Sequence, residues 1–144
     1  MDDWERGLAL FKANKLKSSQ FVFMGRPSTD LRGDLLSKKR IGVSVGKLHK
    51  IMSDHPEVNY GLLDGLKEGV NSPKYVLQSA TEEDSIVVIP IILEDGRVFV
   101  VPIRKNFVTS TGETINMITS IYLKEDPNWL SRERDNKRII FERE

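Results

Sequence analysis

The chain has 144 residues, 39% of them hydrophobic, and its 22 Lys and Arg nearly balance its 21 Asp and Glu, leaving a formal net charge of +1. This length suits one domain with one hydrophobic core, and the composition excludes a disordered chain. The absence of cysteine excludes disulfide bonds, thiolate metal sites and thiol nucleophiles.

The sequence also lacks the patterns of secreted and membrane proteins. Its first residues are acidic and amphipathic, whereas a signal peptide begins with a basic stretch and continues with an apolar one. The longest apolar run, residues 86–93, is far shorter than the roughly 20 residues that a membrane-spanning helix needs. We therefore expect no membrane segment and a cytoplasmic location.

Helical spacing of apolar residues dominates the first half of the chain. Trp4, Leu8 and Phe11 recur three or four positions apart, and acidic residues occupy the first turn, where the helix dipole favours them. Ser44 suits the N-cap of a later helix, which ends before Pro56. The predicted helices cover residues 3–14, 30–37, 45–53 and 60–70.

Beyond Pro73 the pattern changes to short runs of β-branched and aromatic residues, which are typical of strands. Asp95-Gly96 lies between two of these runs and favours a hairpin turn. We predict an α+β fold with N-terminal helices packed on a four- to five-stranded antiparallel sheet, in which residues 1–20 form a helix and linker and residues 21–144 form the α+β domain. The predicted strands cover residues 75–79, 86–93, 98–104, 115–123 and 138–141.

None of the strong catalytic motifs is present, including phosphate-binding loops, His-Glu-x-x-His and Gly-x-Ser-x-Gly. Both histidines, His49 and His55, lie in one short basic segment. By spacing alone, this segment fits a solvated helix face that ends at a capping histidine, or one part of a site. If residues 116–124 form one strand, Asn116, Ser120 and Tyr122 share a face with Lys124.

These residue types suit metal-independent cleavage of RNA. That reaction needs a base for the 2′-hydroxyl, an acid for the leaving oxygen and a cation beside the charged phosphorane. Histidine can fill the first two roles and lysine the third, while hydroxyl and amide groups orient the phosphate. Spacing by itself does not bring these groups together, and each of them also has an ordinary structural interpretation.

The stretch from Phe23 to Trp129 resembles a phage-associated nuclease-toxin domain found at the C-terminus of MuF-type head proteins, a family of the barnase–EndoU–colicin–RelE-like group. The resemblance covers more than two-thirds of the chain. The matching segments are Gly25-Arg26-Pro27, Leu48-His49-Lys50-Ile51 with His55, Ser72-Pro73-Lys74-Tyr75-Val76, and Asn116-x-Ile118-x-Ser120-Ile121-Tyr122-x-Lys124 before Trp129.

The resemblance implies a metal-independent ribonuclease site, without a cofactor, where the helices meet the sheet. In it His55 is the general acid or base, and Lys50 or Lys124 neutralises the phosphorane. Ser120 and Tyr122 hold the phosphate or the ribose. The predicted catalytic set is therefore Lys50, His55, Ser120, Tyr122 and Lys124, and the predicted substrate-binding set is His49, Asn116, Thr119 and Arg104.

We accordingly expect a ribonuclease or nuclease-like toxin of phage or mobile-element origin, with RNA (by analogy tRNA) as substrate and an antitoxin or immunity protein as partner. Family domains sit behind a larger protein, whereas this chain starts at Met1 with its own helix, so we expect a free-standing product or a trimmed form. Its balanced net charge requires a local basic patch for RNA. That predicted patch comprises Arg26, Lys38, Lys39, Arg40, Lys47 and Lys50.

Two other classes of function remain open. One is a catalytically silent phage module that inhibits or engages a host protein, for which the side chains of Lys50, His55 and Lys124 need not converge. The other is a nucleotide-dependent transferase, such as one that transfers ADP-ribose, which requires a catalytic acid. Glu113 and Glu125 are the only acids beside the strand segment 116–124, and neither lies in a motif.

Overall fold

The computed structural model describes residues 1–32 and 35–143, and these form four helices and eight strands of one sheet. The helices are α1 (Asp3–Lys12), α2 (Val45–Asp54), α3 (Tyr60–Asn71) and α4 (Trp129–Asp135). The strands are β1 (Phe21–Gly25), β2 (Ile41–Ser44), β3 (Tyr75–Gln78), β4 (Ser85–Ile92), β5 (Val98–Val108), β6 (Thr114–Ile118), β7 (Tyr122–Lys124) and β8 (Ile139–Glu142).

Side-chain caps fix the starts of the first three helices. Asp2, Ser44 and Asn59 each accept a hydrogen bond from the backbone N–H three residues later, which satisfies one of the free N–H groups of the first turn. The predicted N-cap role of Ser44 is confirmed. At the other end of α2, the N–H of His55 donates to the carbonyl of Ile51 at 2.8 Å, so His55 is the C-cap.

The sheet is mixed, with the order β1-β2-β6-β5-β4-β3-β8, and β7 pairs with β5 beside β6. The pairing of β2 with β6 is parallel and the other pairings are antiparallel. The tail strand β8, predicted at residues 138–141, lies at one edge of the sheet. The hairpin between β4 and β5 is also confirmed, because Leu93 and Arg97 pair across the turn and Gly96 has a φ of +94°.

The larger core lies between one face of the sheet and the helices α1 to α3. Helix α1 contributes Trp4, Leu8 and Phe11, and the Nε1–H of Trp4 donates to the carbonyl of Leu63 on α3 at 2.8 Å. This bond satisfies the polar group of a fully buried indole, so α1 is tied to the rest of the fold by both burial and hydrogen bonding. Sheet residues in this core include Val76, Ile86, Val88, Val101, Ile103 and Ile118.

A smaller core lies on the opposite face of the sheet. Its floor comprises Leu77, Ile89, Val98 and Val100, and α4 and β7 partly cover it with Trp129, Leu130 and Tyr122. Helix α4 was not predicted, because only its first two residues, Trp129 and Leu130, are apolar. The residues that follow them are mostly charged and give no apolar spacing. The observed fold therefore has helices on both faces of the sheet.

One interruption separates β6 from β7. Ile118 pairs with Ile103 and Tyr122 pairs with Val100, so three residues of one strand, 119–121, lie opposite two residues of β5. The carbonyl of Pro102 accepts from the N–H of Thr119 at 3.0 Å, but proline has no N–H to return a bond to that side. The ladder therefore breaks in the manner of a bulge.

Three fold predictions require correction. The sheet has more strands than the four to five predicted, because the short strands β1 and β2 precede α2, and it is not wholly antiparallel. The predicted strand 115–123 is two strands. In the predicted helix 30–37, the described residues form turns and a bridge between Arg32 and Leu36, and positions 33–34 fall outside the described residues.

Within the part of the chain that the structure describes, none of the helices is long and apolar enough to cross a membrane. The division of the chain after residue 20 stays a prediction.

We expect Asn116→Ala to lower the free energy of unfolding by about 2 kcal/mol. The fully buried amide of Asn116 donates to the carbonyls of Ser37 (3.2 Å) and Lys39 (2.6 Å) and accepts from the Ser37 hydroxyl (3.2 Å), so truncation leaves buried partners without a bond. Urea unfolding measures the change. The exposed residue Asn136 provides the control, since Asn136→Ala should change stability by less than about 0.5 kcal/mol. Equal effects of the two substitutions would contradict this account.

Candidate functional site

A shallow cleft lies where the end of α2 meets the break between β6 and β7. Four residues on successive turns of one face of α2 form one wall. Thr119 and Ser120, in the break between β6 and β7, form the other. The cleft has a volume of about 50 Å³. We call it the His55 cleft; it is lined by Lys47, Lys50, Ile51, Asp54, His55, Thr119 and Ser120.

Contacts on two sides fix the imidazole of His55. Its ring stacks on the ring of Tyr122, with the centroids 5.3 Å apart and the planes at 25°. Its Nδ1 lies 3.8 Å from an oxygen of Glu57, and that same oxygen accepts from the N–H of Leu123 at 3.2 Å. Since the ring is still 34% exposed, His55 is both held in place and open to a ligand.

A lysine lies near each end of this stack. The Nζ of Lys124 is 5.2 Å from the ring centroid of Tyr122 and 5.1 Å from that of Trp129, both within the range of cation–π attraction. Lys50 forms an ion pair with Asp54 at 3.3 Å, but the two side chains are 69% and 51% exposed. An ion pair so exposed contributes little to stability, so Lys50 can turn to an incoming anion at small cost.

The structure brings six of the predicted site residues into one continuous surface. Thr119 and Ser120 line the cleft with Lys50 and His55, and Tyr122 connects His55 to Lys124 by the contacts above. These residues come from α2, from the loop that follows it and from the interrupted strand.

Three other predicted residues lie elsewhere. His49 stacks on Phe11 of α1 with the centroids 4.7 Å apart, because it points away from the face of α2 that lines the cleft. Arg104 pairs with Asp84 at 3.0 Å. Asn116 is buried on the face of Ile118, where it binds the loop before β2.

The expectation that Asn116 shares a face with Tyr122 is wrong. Asn116 and Ile118 are two positions apart in β6, and Ile118 belongs to the larger core. Tyr122 packs on the smaller core of the opposite face. The extra residue in segment 119–121 reverses the alternation, so the even spacing of the two residues does not put them on the same side.

Sequence reasoning missed Glu57 and Trp129. Glu57 follows His55 by two positions, and a carboxylate this close to a histidine in the chain could have indicated a partner for the imidazole. Trp129 gives no such signal, because only the packing of α4 on the sheet brings its ring near Lys124.

A larger cavity of about 290 Å³ adjoins the His55 cleft. The cleft and the cavity share Thr119, and Tyr122 and Lys124 line the side of the cavity toward His55. We call it the Trp129 cavity; it is lined by residues 77–82, Ser85, Val87, Pro102, Thr119, Tyr122, Lys124, Trp129 and Glu133.

The predicted basic patch divides into two parts. Lys47 and Lys50 lie at the His55 cleft, whereas Arg26, Lys38, Lys39 and Arg40 line a separate open cavity of about 450 Å³.

Arg40 is fixed at that second surface. It donates two hydrogen bonds to Glu113, at 2.8 and 2.9 Å, and its guanidinium lies 3.4 Å from the ring centroid of Phe23. These bonds lower the pKa of Glu113 and raise that of Arg40. The charge of Arg40 is thus partly neutralised, so Lys38 and Lys39 are the more available cations of this group.

No group of three or more His, Asp and Glu side chains among residues 1–32 and 35–143 is placed to hold a metal ion.

The comparisons with known proteins gave one match. The family model described as the phage MuF C-terminal domain matches residues 47–143, a range that begins in α2 and includes the His55 cleft, the Trp129 cavity and α4. No curated protein and no solved structure matches the chain.

We expect Glu57→Ala to speed hydrogen exchange at the N–H of Leu123 and to lower the free energy of unfolding by about 1 kcal/mol, because that half-buried N–H loses its acceptor. Glu57→Gln keeps an acceptor oxygen and should restore most of the protection. Amide exchange followed by NMR measures both effects. Unchanged exchange in Glu57→Ala would contradict the role of Glu57 as the anchor of β7.

Proposed function

The chain belongs to the phage MuF C-terminal domain family, and we propose that it is a metal-independent ribonuclease, or nuclease-like toxin, of phage or mobile-element origin. One observation carries the proposal: His55 shares a cleft open to solvent with Lys50 and stacks on Tyr122, whose ring also lies within 5.2 Å of the Nζ of Lys124. An imidazole with cations on the same surface matches what cleavage of an RNA phosphodiester requires.

In the proposed reaction, His55 accepts the proton of a ribose 2′-hydroxyl. The 2′-oxygen then forms a bond to phosphorus, the bond from phosphorus to the 5′-oxygen breaks, and water supplies a proton to the leaving oxygen. The hydroxide left by that water takes the proton from His55, which returns to the neutral imidazole. The products are a 2′,3′-cyclic phosphate and a 5′-hydroxyl. Lys124 and Lys50 offset the charge that builds on the phosphorane, and the Ser120 and Tyr122 hydroxyls orient its oxygens.

Glu57 completes this arrangement as a positioning residue. Its carboxylate lies on the Nδ1 side of the imidazole, 3.8 Å from that nitrogen, so Nε2 is the proposed base.

The contacts of the two candidate acids give no support to the transferase alternative. Glu113 is paired with Arg40, and Glu125 is 3.0 Å from Arg97, so neither carboxylate faces the His55 cleft. For the silent binding module, the convergence of Lys50, His55 and Lys124 on one surface is the feature that such a module does not require.

The first test is incubation of the purified protein with total RNA in excess chelator, analysed on a denaturing gel. We expect wild type to give discrete fragments and His55→Ala to lower the cleavage rate by about 100-fold or more. His49→Ala is the matched control, because that histidine stacks on Phe11 outside the cleft, and it should cleave as wild type does.

Circular dichroism and the melting temperature establish that each variant is folded. Fragments that carry a 2′,3′-cyclic phosphate support the proposed reaction. Intact RNA in every lane, including tRNA, would overturn the proposal in favour of the binding module, and equal cleavage by wild type and His55→Ala would remove His55 from the mechanism.

We expect Lys124→Met to reduce the rate constant for cleavage by about 100-fold while the melting temperature changes little. Methionine keeps most of the side-chain packing between Tyr122 and Trp129 but removes the charge. Lys74→Met, a substitution of an exposed lysine outside the cleft, is the control for loss of one positive charge. If both variants lose the same activity, the effect of Lys124 is general electrostatic attraction and not contact with the phosphorane.

A further inference from the structure

The Trp129 cavity is a preformed pocket. The proposed cleavage chemistry uses only Tyr122 and Lys124 of its lining residues. Helix α4 covers it from above, and apolar residues of the sheet, including Leu77, Val87 and Pro102, form its floor. Its volume of about 290 Å³ is just below the range for small-molecule sites, roughly 300–1,000 Å³. The pocket is therefore suited to one flat ring system and not to a large ligand.

Two residues of α4 give the pocket its chemistry. Trp129 and Glu133 are four positions apart, so they project from the same face of the helix, and both line the cavity. The indole supplies a flat aromatic surface on which a planar ligand can stack.

The carboxylate of Glu133 is unusual because only 8% of the residue is exposed. One of its oxygens accepts from Arg138 at 2.6 Å. The other oxygen has no hydrogen bond to the described residues and is not buried, so it is accessible to solvent. Since Glu133 lines the cavity, this oxygen can accept from a ligand that brings an N–H donor.

Hydrogen bonds also fix the rim of the pocket, which offers a further acceptor. The side chain of Ser79 accepts from the N–H groups of Thr81 and Glu82, which fixes the loop between β3 and β4. Gln78 uses its amide N–H groups on the carbonyls of Glu83 and Ser85, which leaves its amide oxygen as a further acceptor.

The side toward the cleft fixes the orientation of a ligand. Lys124 lies 5.1 Å from the ring of Trp129 and 5.2 Å from that of Tyr122, whose other contact is His55. Tyr122 thus connects the His55 cleft to the wall of the Trp129 cavity, so a group attached to a phosphate at the cleft can reach the cavity.

We propose that the Trp129 cavity binds the nucleobase of the nucleotide next to the cleaved phosphate. The base stacks on Trp129 and donates an exocyclic amino group to Glu133. Adenine, cytosine and guanine carry such a group, whereas uracil has no amino group and its N3–H lies between two carbonyl oxygens that the carboxylate repels. This inference rests on the proposed function, because it takes the His55 cleft as the site of the phosphate.

The test is direct binding of 3′-nucleotides to the full chain, followed by calorimetry and by tryptophan fluorescence. Trp4 is 1% exposed in the larger core, so a ligand-dependent change of fluorescence reports Trp129. We expect the adenine, cytosine and guanine 3′-nucleotides to bind at least tenfold more tightly than ribose 5-phosphate, which has no base. Trp129→Ala should weaken their binding about tenfold or more, and Trp129→Phe should retain most of it.

Glu133→Gln tests the polar contact. It should reduce the preference for the cytosine over the uracil 3′-nucleotide by at least fivefold, while Glu125→Gln, an exposed substitution outside the cavity, leaves the preference unchanged. Binding of ribose 5-phosphate as tight as that of the nucleotides, or unchanged affinity in Trp129→Ala, would overturn the inference.

The binding assay and the RNA cleavage assay distinguish failure of the base pocket from failure of the ribonuclease proposal. Nucleotide binding that depends on Trp129, together with intact RNA, would keep the base pocket and overturn the ribonuclease proposal. RNA cleavage that depends on His55 but has no base preference, and is unchanged in Trp129→Ala, would keep the ribonuclease and overturn the pocket.

Discussion

The break in strand pairing opposite Pro102 determines the geometry of both candidate functional surfaces. Proline cannot donate to the neighbouring strand, and three residues fill the space of two before β7 resumes the pairing. The break turns Ser120 toward the His55 cleft, buries Ile121 in the larger core and brings Tyr122 to the opposite face. A regular strand would have kept these side chains in strict alternation and apart from His55.

A few polar contacts hold this irregular region in place. Glu57 accepts from the N–H of Leu123, which couples the loop after α2 to β7, and the stack of His55 on Tyr122 adds a second link between the same two segments. Asn116 performs a corresponding function from the middle of β6, where its amide fixes the loop before β2. Backbone that leaves the regular ladder is thus satisfied by side chains, as buried polar groups require.

The two surfaces have complementary chemistry. The His55 cleft is small, open and cationic, which suits a phosphate, whereas the Trp129 cavity is larger and less open, with an aromatic wall and a carboxylate, which suits a base. Lys124 contacts the aromatic rings of both, so a single side chain connects recognition to the proposed chemistry. Lys38 and Lys39 lie on a further cationic surface, which under the proposed function would suit the backbone of a longer RNA.

The sequence by itself determined the elements with strong local signals. The apolar spacing of α1 to α3, the N-cap at Ser44 and the Asp95-Gly96 turn act over a few residues, and each was predicted correctly. The grouping of Lys50, His55, Ser120 and Tyr122 followed from the family resemblance and not from spacing. Tertiary structure alone decided the parallel pairing of β2 with β6, the position of α4 and the opposite faces of Asn116 and Tyr122. These features depend on contacts between residues distant in sequence and on one proline without an N–H. Periodicity within a single segment therefore cannot predict them.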